Sequence, residues 1–193
     1  MGNFFVHPSS FIDENVHIGD GTSIWHFCHL QKGAIVGRDC NIGQNVYIGN
    51  NVIIGNQVKI QNNVSVYRGV VLEDYVFCGP SCVFTNDLTP RAKYPKGPDR
   101  FENTIVRTGA SIGANATIVC ATEIGAWAII GAGAVVTKDV PSHALMLGVP
   151  AKQYGWVCEC GQTLPKALLC EFCGRRYSEG NKGLTETSGL RKS

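Results

Sequence analysis

The stretch Ile42-Gly43-Gln44-Asn45-Val46-Tyr47-Ile48-Gly49-Asn50-Asn51-Val52-Ile53-Ile54-Gly55-Asn56-Gln57-Val58-Lys59-Ile60 repeats itself every six residues. A large aliphatic opens each unit, and a valine stands four places on. Extended outward, the opening position reads Ile12, Ile18, Ile24, Leu30, Val36, Ile42, Ile48, Ile54, Ile60, Val66, Leu72, Cys78 and Phe84, all apolar and in strict register. The companion position, from Val16, Thr22 and Cys28 to Val76 and Cys82, holds only small or β-branched residues. An amphipathic helix would space its apolar residues near 3.6, and a half-buried strand would alternate them. A period of six fits neither. It fits a coil in which each hexapeptide is one short strand plus a corner, with three hexapeptides to each triangular turn. Both inward residues then stack on their equivalents one coil later, and the expected fold is an all-β parallel β-helix.

The register breaks once and resumes as Val106, Ile112, Ile118, Ile124, Ile130 and Val136, with companions Ala110 to Val140. Phe84 and Val106 lie 22 residues apart, which is not a multiple of six. Residues 85–103 are therefore expected to leave the coil as a loop, and loops of this length in compact domains are usually functional. Composition agrees: 23 glycines in 193 residues supply the tight corners that a β-helix needs. The net charge is +2 with 17% charged residues, which disfavours a nucleic-acid-binding surface. The longest run free of charged or strongly polar groups, Ile124 to Val136, is glycine-interrupted and well short of the roughly 20 residues a membrane helix needs. Residues 1–6 lack the basic and apolar regions of a secretory signal. A cytoplasmic protein without membrane insertion is expected.

The repeat resembles the hexapeptide-repeat acyltransferases, whose coils form a left-handed parallel β-helix; the hand is implied by the resemblance. Four stretches narrow it: Ile24-Trp25-His26, Gln61-Asn62-Asn63-Val64-Ser65-Val66-Tyr67, Phe77 to Asn86, and Pro90-Arg91-Ala92. Together they are similar to N-acetyltransferases of nucleotide-linked 3-amino sugars, above all those acting on UDP-2-acetamido-3-amino-2,3-dideoxyglucuronate for O-antigen synthesis. The resemblance spans residues 7 to 155 and sets the domain expected at 1–155. It implies acetyl-CoA as co-substrate and a homotrimer with sites between neighbours. It also matches Asn86 to the amide that holds the sugar amine while the departing thiolate takes the proton. Acetylation of a dTDP-3-amino-6-deoxyhexose is the alternative reaction, and a non-enzymatic scaffold with a partner-binding tail is the alternative class.

Sorting outward positions by the 18-residue turn gives three faces, the first a charged set of Asp20, Arg38, Asp39, Asn56, Lys59 and Asp74 that reads as solvent surface. Ile35, Ile53 and Val71 stack as exposed aliphatics, which suggests a subunit contact. A polar column sets His26 over Gln44 and Asn62, Phe27 over Asn45 and Asn63, and His29 over Tyr47 and Ser65. It reads either as a structural amide ladder or as a wall for a nucleotide sugar, whose ring and phosphates need donors without strong charge. Asn86 falls in the column of Lys32, Asn50 and Arg68 where the chain departs for the loop. Tyr67, Arg68, Asp87 and Arg91 would line that rim, Arg91 meeting a diphosphate or a uronate carboxylate. His29 is the rival general base, because imidazole titrates near the working pH. Later coils present almost no side chain at Gly109, Ala114, Ala126, Ala132 and Gly133. These read either as tight geometry or as a slot for pantetheine, with Lys138 and Lys152 near the phosphates of coenzyme A.

Cys28, Cys40, Cys78 and Cys82 fall on inward registers and read as small core residues. Cys120 is expected to face outward. Beyond residue 155 the pattern is Cys158-Glu159-Cys160-Gly161, then Cys170-Glu171-Phe172-Cys173-Gly174. Two close pairs of thiolates, each followed by glycine, suit a tetrahedral Zn²⁺ site that staples a small tail at 156–177; two disulfides are the alternative, disfavoured in a reducing compartment. Residues 178–193 are polar and expected to be disordered.

Overall fold

The computed structural model describes residues 2–188, and its only helical turn is a short 3₁₀ segment at Pro98–Arg100. The strands stack into three sheets of nine, seven and six, each hexapeptide strand pairing in parallel with the strand one coil away; only the last strand of the nine, Lys152–Trp156, pairs antiparallel, with Ala144–Leu147. Face 1 runs from Phe5–Val6 through Ser23–Ile24, Asn41–Ile42, Lys59–Ile60 and Phe77–Cys78 to Ile129–Ile130 and the closing strands Ala144–Leu147 and Lys152–Trp156. Face 2 runs from Phe11–Ile12 through His29–Leu30, Tyr47–Ile48 and Ser65–Val66 to Val135–Val136. Face 3 runs from His17–Ile18 through Ile35–Val36, Ile53–Ile54 and Val70–Leu72 to Glu123–Ile124. The fold is the parallel β-helix that the repeat anticipates, with the left hand that the resemblance implies.

The inward registers are buried as read: Ile24, Leu30, Ile42, Ile48, Ile60, Leu72, Ile112 and Ile130 have no solvent exposure. Burying each such side chain contributes about 1.5–3 kcal/mol, so the stacked column is the main source of stability. Ile12 is 37% exposed because no coil covers it from below. Cys28, Cys40, Cys78 and Cys82 are all buried in this core, and burial pushes the Cys28 and Cys40 thiols up. They also work as donors: the Cys28 thiol reaches the Gly43 carbonyl at 3.0 Å and the Cys40 thiol the Gly55 carbonyl at 3.2 Å.

Corners are fixed from the coil above. The carboxamide oxygen of Asn56 accepts from the Arg38 amide at 2.9 Å, and Asp74 accepts from the Asn56 amide at 2.7 Å. Gly37 is required by close approach, since a Cβ there would stand 2.4 Å from the Gly55 carbonyl oxygen.

The insertion leaves face 2 after Phe84 and returns as Thr104–Val106, paired with Val70–Leu72 on face 3. It thus re-enters on the face the coil was due to reach, sixteen residues late. Past the helix, the tail was expected to be disordered from residue 178. Instead Arg176–Gly180 and Gly183–Ser188 form an antiparallel hairpin. Its Tyr177 and Leu184 are buried with Cys158, Leu164 and Cys170 in a second small core. Two inward apolar residues outweigh a polar composition. The hairpin turn docks on the last coil, the Ser142 amide donating to Lys182 and the Leu184 amide to Ser142. Residues 189–193 of the expected disordered segment lie outside the described residues.

Candidate active site and metal centre

Each coil rises by about 4.8 Å, so position along the axis can be read from coil number. Asn86 stands one 18-residue period beyond Arg68 on the edge between faces 2 and 3, where the insertion departs. The loop folds back on that edge: the Glu102 amide donates to the Asn86 carbonyl at 3.0 Å, and Arg68 Nη2 lies 3.5 Å from Asp99 Oδ1. Between them Asn51, Arg68, Gly69, Asp99, Phe101 and Asn103 line an open pocket of about 300 Å³. Tyr67 lies alongside, its ring 5.8 Å from that of Tyr47. Arg68, Tyr67 and Asn86 therefore share one edge.

Asp87 does not face this pocket as a free carboxylate. It pairs with Lys96, accepts the Thr89 amide at 2.8 Å, and is 14% exposed. Hydrogen bonds from Lys96 and the Thr89 amide hold its carboxyl below the usual range. Arg91 is exposed on the loop, with Nη1 3.5 Å from the Pro90 carbonyl oxygen.

His29 projects from face 2, its Nε2 3.1 Å from Asp13 Oδ1 and its ring edge-on to Tyr47 at 6.0 Å. It lies three coils from the level of Asn86, about 14 Å along the axis. One chain does not bring the two to a common reacting atom. Asp13 was missed in the sequence because it lies sixteen residues from His29, outside any local motif.

The polar wall divides. Asn45 and Asn63 take left-handed backbone conformations (φ 57° and 62°), and Asn45 Nδ2 donates to Asn63 Oδ1 at 3.0 Å. Asn62 Oδ1 accepts the Gln44 amide at 2.8 Å. These amides are hydrogen-bonded from coil to coil, as the structural reading requires. His26 is stacked on His7 at 3.5 Å between ring centres, and with Trp25, Gln44 and Asn62 it borders an open pocket of about 340 Å³.

The expected cofactor slot is split between edges. Ala114, Ala132 and Gly133 sit on the edge between faces 1 and 2, with open space where a Gly133 Cβ would be. Gly109 and Ala126 sit on the edge between faces 3 and 1. There the Trp127 ring covers Gly109, whose φ is +70° and whose added Cβ would stand 2.1 Å from the indole, so that smallness serves packing. Lys138 lies on the third edge, and Lys152 opens the last strand of face 1. Cys120, expected outward, is 2% exposed: its amide donates to Thr85 Oγ1 at 2.9 Å, and the returning loop pairs with its neighbour through Ala121 and Asn103.

Ile35 and Ile53 are 44% and 48% exposed on face 3, as their column requires. Nearby, Arg107 bridges two carboxylates. Its Nη1 is 2.8 Å from Glu73, and its Nε is 2.9 Å from Glu123.

In the tail, the sulfurs of Cys158, Cys160, Cys170 and Cys173 all lie within 4.8 Å of one another, and none is disulfide-bonded. Four thiolates at about 2.3 Å from one zinc ion would stand near 3.8 Å apart. The pairs Cys158–Cys173 at 3.4 Å and Cys160–Cys170 at 3.6 Å match that spacing. The residues fit a four-thiolate metal. Arg175 Nη1 donates to Cys173 Sγ at 3.4 Å while the same guanidinium pairs with Glu159 and Glu186. Tyr177 Oη is 3.1 Å from Cys158 Sγ, and its ring packs on His143 of the last coil at 4.8 Å.

A coiled stack with an amide-bearing insertion and a bare edge defines a class built from hexapeptide repeats. The family model for the bacterial transferase hexapeptide (six repeats) matches residues 15–50, and that for the hexapeptide repeat of succinyl-transferase matches 33–68 and 108–138. The chain is 46% identical over 176 residues, 90% of both proteins, to the dTDP-3-amino-3,6-dideoxy-alpha-D-galactopyranose 3-N-acetyltransferase of Aneurinibacillus thermoaerophilus. Among solved structures, a hexapeptide transferase family protein from Anaplasma phagocytophilum superposes with a TM-score of 0.55 at 18% identity, covering 81% of this chain and 84% of that one. A GDP-perosamine N-acetyltransferase variant from Caulobacter crescentus, solved with CoA and GDP-perosamine, gives 0.54 at 24%, covering 78% of this chain and 55% of that one. The chain belongs to the hexapeptide-repeat acyltransferases, within the acetyl-CoA-dependent nucleotide-sugar N-acetyltransferases.

Proposed function

We propose that this chain moves an acetyl group from acetyl-CoA to the 3-amino group of a nucleotide-linked sugar, with a dTDP-3-amino-3,6-dideoxyhexose as the substrate best supported. The observation that carries this reading is 46% identity sustained across 90% of both chains to an enzyme named for such a substrate. A UDP-linked 3-amino uronate is the second reading. It rests on Arg91, a loop cation whose exposed guanidinium suits a carboxylate. Either product suits assembly into a surface polysaccharide such as O-antigen, starting from cytoplasmic nucleotide sugars.

The axial order supports a layout. Asn86 holds the sugar amine, Arg68 one coil below takes the diphosphate, and Tyr67 and Tyr47 offer aromatic faces toward the nucleoside end. The amine attacks the thioester carbonyl, the C–N bond forms, the C–S bond breaks, and the amine proton leaves with the thiolate as free CoA. No side-chain base is assigned, since His29 is about 14 Å away along the axis and Asp87 is held by Lys96. Much of the rate then comes from holding two reactants in register. Acetyl-CoA runs along Ala114, Ala132 and Gly133 toward Lys152, while Lys138 stands across face 2 on the same edge as Asn86. The acetyl-CoA edge and the Asn86 edge lie on opposite sides of face 2. A homotrimer packed through Ile35, Ile53 and Val71 completes the site by setting one copy's edge against its neighbour's. Zn²⁺ occupies the four-cysteine centre, where it is structural because every ligand comes from the protein.

The test is CoA release, followed with a thiol reagent, over a panel of dTDP- and UDP-linked 3-amino sugars. Turnover confined to the dTDP-linked 6-deoxyhexose and reduced at least about 100-fold in Asn86→Ala supports substrate and site together. Turnover confined to the UDP uronate moves the assignment to the second reading. Silence across the panel sinks the reaction.

A further inference from the structure

We infer that Lys96 is a positioning residue for acetyl transfer, stapling the insertion so that Asn86 is held at its neck; this rests on the site proposed above. The insertion is closed at two levels. At the neck, the Glu102 amide donates to the Asn86 carbonyl at 3.0 Å. One residue further in, the Lys96 ammonium pairs with Asp87 and donates to Thr89 Oγ1 at 2.7 Å, while Asp87 accepts the Thr89 amide at 2.8 Å. Lys96 is 25% exposed and Asp87 14%, in a loop whose other charged side chains are mostly open to solvent.

Ion pairs in full solvent hold nothing in place, but a half-buried one with three convergent hydrogen bonds fixes both ends. What it fixes here is the peptide next to Asn86. The loop's other ties to the coil sit at its two ends, where the Cys120 amide donates to Thr85 Oγ1 at 2.9 Å and the Ala121 amide to the Asn103 carbonyl; inside the loop there is one 3₁₀ turn and the Arg68–Asp99 contact, long and exposed at Asp99. Lys96 also gives Asp87 a role other than substrate contact. Its ammonium reaches nine residues back across the loop to a carboxylate adjacent to the amide that would hold the amine.

Steady-state kinetics with acetyl-CoA and the nucleotide sugar turned over by the wild type test this. Lys96→Met is expected to lower kcat roughly 10- to 100-fold, the loss a misplacement of about 1 Å brings. The KM for acetyl-CoA should stay within about twofold, because that substrate binds on another edge. Lys96→Arg should restore most of the rate. Lys93→Ala, which removes an exposed cation of the same loop, should leave it unchanged. Adding Asp87→Asn to Lys96→Met should cost little more, since one interaction is lost only once. Wild-type kcat in Lys96→Met beside an inactive Asn86→Ala overturns the staple and leaves the site standing. An active Asn86→Ala overturns both.

Discussion

Single residues in this chain carry two kinds of obligation, which the repeat makes separable. Inward residues answer to packing alone. Ile60→Ala, in the middle of the stack, is expected to destabilise the protein by about 2–5 kcal/mol in chemical denaturation, because rigid coils on both sides limit collapse of the cavity. Outward residues answer to edges. Gly109→Ala is expected to lower the thermal midpoint through both its left-handed backbone and the Trp127 ring, so Trp127→Ala should rescue part of the loss. The sequence shows which positions point inward because the period is strict. It does not show that Asn45, Asn62 and Asn63 are hydrogen-bonded from coil to coil, since amides at corners serve geometry and ligands equally. Asp13 beside His29 and Lys96 beside Asp87 were invisible for another reason: each pair joins residues on different coils or across a loop that has no period.

At the scale of elements, the short strands leave little to chance, and the connections carry the surprises. The insertion was legible as a departure from register, but its internal staple was not. The small residues of later coils looked like one slot and proved to lie on separate edges, because a column argument fixes height and face only within one series. The Glu73–Arg107–Glu123 bridge spans coils on face 3. Partial burial works against the Glu73 carboxylate, but hydrogen bonds from Arg107 and Thr108 outweigh it and lower its pKa. Hydrogen bonds from Arg107 lower that of Glu123. Groups with depressed folded pKa values stabilise above the unfolded value, about 4.3 for Glu, and lose that contribution as pH falls through the folded one. Acid titration of stability should therefore show a falling limb below about pH 4.3 that is shallower in Arg107→Met. The loss at pH 7 should be at most about 1 kcal/mol, because the groups are well solvated.

The whole molecule is a long stack closed at one end by a tail with its own core. The four cysteines were legible from spacing, since close pairs followed by glycine have few other uses. The hairpin beyond them was not, because its two apolar residues, Tyr177 and Leu184, are separated by a polar stretch and gain a partner only from the folded knuckle. Metal analysis of purified protein should find one zinc per chain. A chelator should unfold the tail while the far-ultraviolet signal of the β-helix persists, because Tyr177 and Leu184 share one small core with Cys158 and Cys170. Retention of the tail's amide protection without metal would count against a structural ion. The exposed Ile35 and Ile53 set a second expectation: if they pack the proposed trimer, the wild type sediments as a trimer and replacing both with Asp yields monomers and abolishes turnover.

The stacking of every column at eighteen residues has one more consequence, for how such a chain can change length. Removing one full turn, for example residues 36–53, would shorten the prism by a storey yet return each surviving side chain to the face it already occupied. Removing six residues would rotate everything downstream by a third of a turn, so that the aliphatic stripe would stop on one side and begin again on another. Tolerated deletions in the body of this protein are therefore quantised in whole turns. The insertion escapes that rule by looping out between two faces and rejoining the next in phase.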